Sequence, residues 1–176
     1  MLEPTWKVPH DEIPCLWRAW LLHAGSFMQR LVQQGVRDAR IQVLHQHWEL
    51  PEPEERQVLD MDFRVYALIR EVLIVSMDNV WMFARTVFPL RTLTGQQQQL
   101  ARLKNRSLGS VLFKDPALQR SAFTIAYLQP EQRWHANIEQ AVGQALPDLW
   151  ARRSLFTLQG KSLLLTEVFL PDIATL

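Results

Sequence analysis

The chain has 176 residues, 48% of them hydrophobic and 21% charged, with a formal net charge of +1. That length suits one domain with a real core, and the near-neutral balance excludes a global field that would attract nucleic acid or an anionic membrane. A single cysteine, Cys15, excludes an internal disulfide framework and fits a reducing compartment, and no apolar run has the length of a bilayer span.

The first twelve residues mix acids and prolines and hold no apolar segment of the kind a secretory signal needs, so a cytoplasmic location is expected. Residues 12–34 read as helical: Ile13, Leu16, Trp17, Trp20 and Leu21 form a 3.6-residue stripe. Gly25 and Ser26 interrupt it, and Ser26 can cap a second helix that ends at Gly35. Residues 39–48 alternate as a strand, with His45 and His47 on one face. Residues 49–55, acidic and rich in proline, read as a loop.

Strands follow at 66–77 and 80–89, joined by Met77-Asp78-Asn79-Val80 as a hairpin turn. A helix is expected over 96–104 with Thr94 as its cap, then one helical turn at 107–113 and a strand at 120–128. Residues 135–146 read as helix, and a hairpin of 151–158 and 162–170 around Gln159-Gly160-Lys161 closes the chain. Six strands joined mostly by hairpins, with helices grouped early and between, predict an α+β fold around a mainly antiparallel sheet in one domain spanning residues 1–176. The chain has no Gly-rich phosphate loop, which argues against a nucleotide cofactor.

The chemistry concentrates in two apolar strands that carry charges near their middles. One reads Ala67-Leu-Ile-Arg70-Glu71-Val-Leu-Ile-Val75, the other Ser162-Leu-Leu-Leu-Thr-Glu167-Val-Phe-Leu-Pro171. Arg and Glu are rarely buried without a partner, so these positions suggest a pocket for a polar, anionic ligand. A structural ion pair or a solvated sheet face would give the same pattern. A two-residue turn at Asp78-Asn79 places Arg85 opposite Val72, on the same face as Arg70, where two guanidinium forks would suit carboxylates. In the last hairpin a two-residue turn sets Glu167 opposite Arg152, and a three-residue loop sets it opposite Arg153; both registers stay open. His45 and His47 could begin a metal site, but no third ligand is legible on a neighbouring strand, so no metal is expected. Cys15 has no local signature of a nucleophile.

These residues resemble the chorismate lyase family of ubiquinone biosynthesis. The similarity is carried by Trp150-Ala-Arg-Arg-Ser-Leu-Phe156 with Gly160-Lys-Ser-Leu-Leu-Leu-Thr-Glu-Val-Phe-Leu-Pro171, by Arg70-Glu-Val-Leu, and by Trp81-Met-Phe-Ala-Arg-Thr-Val-Phe-Pro89. Leu93-Thr-Gly95, Ser107-Leu-Gly-Ser-Val-Leu-Phe113 and Leu21-Leu-His-Ala-Gly-Ser26 follow the family's order, so the resemblance covers roughly residues 17–171.

The resemblance implies a six-stranded antiparallel sheet with helices and two flap segments over a buried ligand cavity. It implies conversion of chorismate to 4-hydroxybenzoate and pyruvate without metal or organic cofactor, by an enzyme with no nucleic-acid partner and no membrane insertion. Carried over residue by residue, it makes Arg70 the holder of the ring carboxylate and Glu167 the strand carboxylate of the site. Leu108 becomes a backbone contact on one flap, and Phe27, or Met28 after a one-residue shift, the flap residue after Gly25-Ser26. The chain departs from the family at Leu103-Lys104, where the family has Leu-Gly. The other reading of this fold is a non-catalytic binder of small aromatic acids, a sensor or a carrier. Sensors of this type carry a helix–turn–helix ahead of the domain, and the 38 or so residues before the first strand lack a basic recognition helix. Exposed heptads are absent, so a monomer is expected.

Overall fold

The computed structural model describes residues 3–10, 13–77 and 79–176. Among these, seven strands form one antiparallel sheet: β1 (Arg40–Glu49), β2 (Ala67–Ser76), β3 (Asn79–Pro89), β4 (Gln119–Arg120), β5 (Thr124–Leu128), β6 (Leu149–Leu158) and β7 (Lys161–Phe169). The order is β1-β2-β3-β7-β6-β4, and β5 also pairs with β6. The α+β class and the antiparallel sheet agree with the sequence. The single strand expected over 120–128 is split, and β4 and β5 follow one another along the same edge of β6. Ser121 fills the gap: its amide donates to the Leu155 carbonyl at 2.9 Å, and its Oγ accepts from the Leu155 amide at 3.0 Å.

β2 is apolar on both faces because both faces are covered. On one side lie α1 (Cys15–Leu21) and α2 (Phe27–Gln33), whose Trp20, Phe27 and Leu31 pack with Val72, Ile74 and Met82. On the other lies α5 (Arg133–Val142), whose Trp134 and Ile138 pack with Leu73, Val75 and Phe83. Ser26 caps α2 by accepting from the Gln29 amide, and Gly35 follows it with φ 87, a left-handed value glycine adopts without strain.

Two local expectations change. The Pro-rich acidic segment contains α3 (Pro53–Val58): Pro53 occupies the first turn, where its missing N–H costs nothing, and Glu52 and Glu55 form a reciprocal capping box. Thr94 does not cap a helix; its Oγ donates to the Arg91 carbonyl, and Gly95–Arg102 winds as a 3-10 helix. The turn at 107–113 does contain the short α4 (Gly109–Leu112). No helix among the described residues is long and apolar enough to cross a membrane.

The β2–β3 hairpin departs from the expected register. Ser76 pairs with Asn79, so the turn falls one residue earlier; Met77 takes φ 47, and Asp78 lies outside the described residues. A bulge then leaves Trp81 unpaired between the Val75–Val80 and Ile74–Met82 pairs. The net slip is one residue. Arg85 consequently faces Glu71, not Val72, and projects from the face opposite Arg70. In the last hairpin the two-residue turn is the one formed, with Arg152 opposite Glu167 and Arg153 opposite Thr166.

Candidate active site

The α1–α2 side of the sheet holds a cavity. Its floor comes from Arg70, Val72, Ala84, Thr86, Leu165 and Glu167 on β2, β3 and β7. Two flaps form its roof. One is the turn into α2, Gly25 to Met28; the other is Ser107 to Phe113 around α4. About 70 Å³ is open to the centres of water-sized molecules, room for several waters. The flaps meet at Gly109, where a Cβ would stand 3.0 Å from the Phe113 ring and 3.6 Å from Ser26 Oγ. The walls are mostly apolar with a few convergent polar groups, the usual make-up of a small-molecule site. Phe27 and Met28 both line it, as does Leu108. Phe27 is more deeply fixed, packed against Trp20 and Phe169.

Arg70 is 3% exposed. Its guanidinium donates to Gln46 Oε1 and to the Arg106 carbonyl, both at 3.2 Å, and no carboxylate among the described residues pairs with it. Burial therefore lowers its pKa with no opposing charge. A buried cation with only neutral partners at a cavity wall is the arrangement an anionic ligand would complete.

Glu167 is treated differently. Arg152 donates to both of its oxygens, Nε to Oε2 at 2.6 Å and Nη2 to Oε1 at 3.0 Å, and Arg120 adds a bond at 3.3 Å. Burial pushes the Glu167 pKa up, but the charge and hydrogen bonds of Arg152, followed by the charge of Arg120, outweigh it, and the net shift is downward. Arg120 is itself pulled down to about 10, first by burial and further by Arg152, against the favourable charge of Glu167. Both arginines also hold the first flap. Arg152 donates to the carbonyls of Trp20, Leu21 and His23, and Arg120 to that of Ala24. The carboxylate and the flap hinge thus share their supports.

A family model for chorismate lyase matches residues 2–175. The chain is 36% identical over 176 residues to a probable chorismate pyruvate-lyase of Aromatoleum aromaticum, covering 98% of this chain and 95% of that one. It is 35% identical over 155 residues to a protein of the same name from Methylococcus capsulatus, covering 88% and 94%. The chain belongs to the chorismate lyase family.

The fold is also shared with solved structures of low sequence identity. The effector domain of PhnF from Mycobacterium smegmatis superposes with TM-score 0.62 at 16% identity, covering 86% of this chain and 91% of that one. The ligand-binding domain of a putative GntR-family regulator from Bordetella bronchiseptica gives TM-score 0.57 at 11% identity, covering 77% and 86%.

Against the pattern read for the chorismate lyase family, Arg70, Glu167, Phe27 and Leu108 all reach one cavity, while Arg85 does not. Arg85 is held on the far face by Glu55 at 2.8 and 3.1 Å, Glu71 at 2.7 Å and Glu49 at 3.4 Å. Arg153 also faces away, bonding Thr166 and Glu54. Neither reaches the cavity. Arg152 is fully engaged by Glu167 and three carbonyls, so it supports the site from behind. Arg120 is the residue the sequence reading missed. It lies on two-residue β4, too short for periodicity to reveal. At the departure from the family's Leu-Gly, Lys104 adopts φ 50, so the backbone keeps a conformation glycine would favour.

Proposed function

We propose that this protein is a chorismate pyruvate-lyase that releases 4-hydroxybenzoate and pyruvate as the first step of ubiquinone ring supply. The observation that carries the reading is Arg70: a buried guanidinium, without a carboxylate partner among the described residues, in a cavity that it shares with Arg120 and the carboxylate of Glu167. Chorismate has a ring carboxylate for Arg70, a C4 hydroxyl that can donate to Glu167, and apolar faces for Val72, Ala84 and Leu165.

In the reaction the C4–H bond and the C3–O bond break. The C4–H electron pair enters the ring, which becomes aromatic, and the C3–O pair leaves with the enolpyruvyl oxygen. The proton ends on the enolpyruvyl methylene carbon, giving pyruvate. Aromatisation supplies the driving force, so the protein's work is orientation and stabilisation of developing charge. Glu167, held ionised by two arginines, is a weak base. It therefore suits an orienting role toward the C4 hydroxyl, with the proton passing within the substrate. Arg70 fixes the ring carboxylate, assisted by the Leu108 backbone, and Phe27 and Met28 close over the ring.

The proposal takes the protein as one cytoplasmic domain working as a monomer without a cofactor. Turnover of purified protein with chorismate, followed as both products, tests it. A non-catalytic binder of the same aromatic acid would bind 4-hydroxybenzoate and release no pyruvate.

A further inference from the structure

We propose that His45, His47 and Glu49 form a binding site for a divalent transition-metal ion, of the zinc type, outside the lyase cavity. The three residues stand at i, i+2 and i+4 on β1, an edge strand, so all three project from one face. That face is the one carrying Glu71 and Arg85; Gln46, between the two histidines, points the other way and holds Arg70.

The geometry fits a metal. One ligand atom from each residue can be chosen so that all lie within 4.8 Å of one another. His47 Nε2 shares a 3.0 Å hydrogen bond with Glu49 Oε2, and His45 Nε2 is 3.8 Å from the other oxygen of that carboxylate, Oε1. Ligands about 2.0–2.1 Å from a tetrahedral zinc are separated by roughly 3.3 Å, between these two values. The imidazole rings already lie together, centroids 4.4 Å apart.

A second observation points to a ligand. His45 Nε2 is shielded from solvent yet has no hydrogen-bond partner among the described residues. The opposite ring nitrogen, Nδ1, sits 3.5 Å from Glu71 Oε2. A carboxylate behind one imidazole nitrogen, with the other nitrogen free, is the arrangement that orients a metal-bound histidine. Arg85 fixes Glu71 at 2.7 Å but holds Glu49 only at 3.4 Å, so Glu49 can turn to an ion without uncovering Arg85, which keeps Glu55. Two imidazoles and one carboxylate select zinc, cobalt, nickel or copper over magnesium or calcium. His47 is half exposed, so the ion has an entry path and open coordination positions for water.

The test is calorimetric titration of untagged, chelator-stripped protein with Zn²⁺, and separately with Mg²⁺. One Zn²⁺ per chain with a micromolar dissociation constant is expected, and no Mg²⁺ binding. His45→Ala and His47→Ala, checked for native circular dichroism, should each weaken Zn²⁺ at least tenfold, and Glu71→Gln should weaken it about tenfold through loss of the orienting carboxylate. No Zn²⁺ binding tighter than about 1 mM overturns the site. So does affinity unchanged in both histidine variants, which would place the ion at His10, His23, His135 or Cys15. Chorismate turnover is not a readout here, so the result stands apart from the lyase reading.

Discussion

Arg152 grips Glu167 through Nε and Nη2 and, through Nη1, holds the carbonyls of Trp20, Leu21 and His23 at the end of α1. One buried cation therefore ties the site's carboxylate to the flap above it. Arg152→Ala leaves Glu167 buried with Arg120 as its one hydrogen-bonded cation among the described residues and frees three carbonyls. A loss of about 3–5 kcal/mol is expected, the usual cost of breaking a buried pair from one side. Urea denaturation of the variant measures it, and a loss under about 1 kcal/mol would mean that water replaces the guanidinium.

Arg70→Ala should separate binding from folding. Its partners in the protein are neutral, so the variant stays folded, while kcat/KM falls at least about 100-fold through loss of a charge-assisted bond to substrate. Arg70→Lys should recover only part of that loss, since an ammonium keeps the charge but not the fork. Steady-state kinetics with circular dichroism on both variants checks this.

Arg85→Ala should do the reverse. The slip in the β2–β3 hairpin puts this residue on the far face among Glu49, Glu55 and Glu71, so its loss strips three carboxylates of their cation. Stability should fall by about 3–5 kcal/mol, with KM within about twofold of the parent. A large rise in KM with little destabilisation would return Arg85 to the cavity face.

The pH dependence has a defined sign. The folded-state pKa of Glu167 lies below its ordinary value of 4.5. Its contribution to stability is complete above 4.5 and is lost as pH falls through the lower folded value. On the activity side, Arg120, with its pKa lowered to about 10, gives kcat/KM an alkaline limb near that pH as the Glu167 clamp weakens. Arg120→Gln should remove the limb. A pH–rate profile of the two proteins decides the point.

Lys104 offers a test of the backbone. Its φ of 50 is costly for a residue with a Cβ, and Lys104→Gly should raise stability by about 1 kcal/mol, or about 2–4 °C in Tm for a chain of this size. Scanning calorimetry reads the shift, and a fall in Tm would show that the lysine side chain contributes more than the strain removes.

Most of the fold was legible in the sequence because apolar runs, turn residues and the Ser26 cap all pointed the same way. The α+β class, the closing hairpin and the pairing of Glu167 with an arginine followed from period and parity. The failures are local. Nothing in the sequence marks a bulge at Trp81, and one unpaired residue flips every side chain beyond it, which is why Arg85 projects from the face opposite the one its spacing predicts. The capping box of α3 was visible as Glu52, Pro53 and Glu55, but the acidic, proline-rich composition read as loop. Glu49 stands two residues beyond His47 on the same strand, where an expectation of a third ligand on a neighbouring strand does not reach it. Arg120 gave no signal, since its strand is two residues long and its role depends on contacts 34 and 47 residues away in sequence.

The central claim is that the Arg70 cavity turns chorismate over. The most direct measurement mixes purified protein with chorismate in chelator-containing buffer and quantifies 4-hydroxybenzoate by chromatography and pyruvate by a coupled dehydrogenase, with Arg70→Ala run in parallel. Equal amounts of both products from the parent, far above uncatalysed decay, with the variant near background, is the expected result. Tight binding of 4-hydroxybenzoate with no pyruvate released would contradict it and make Arg70 and Glu167 parts of a binding site only.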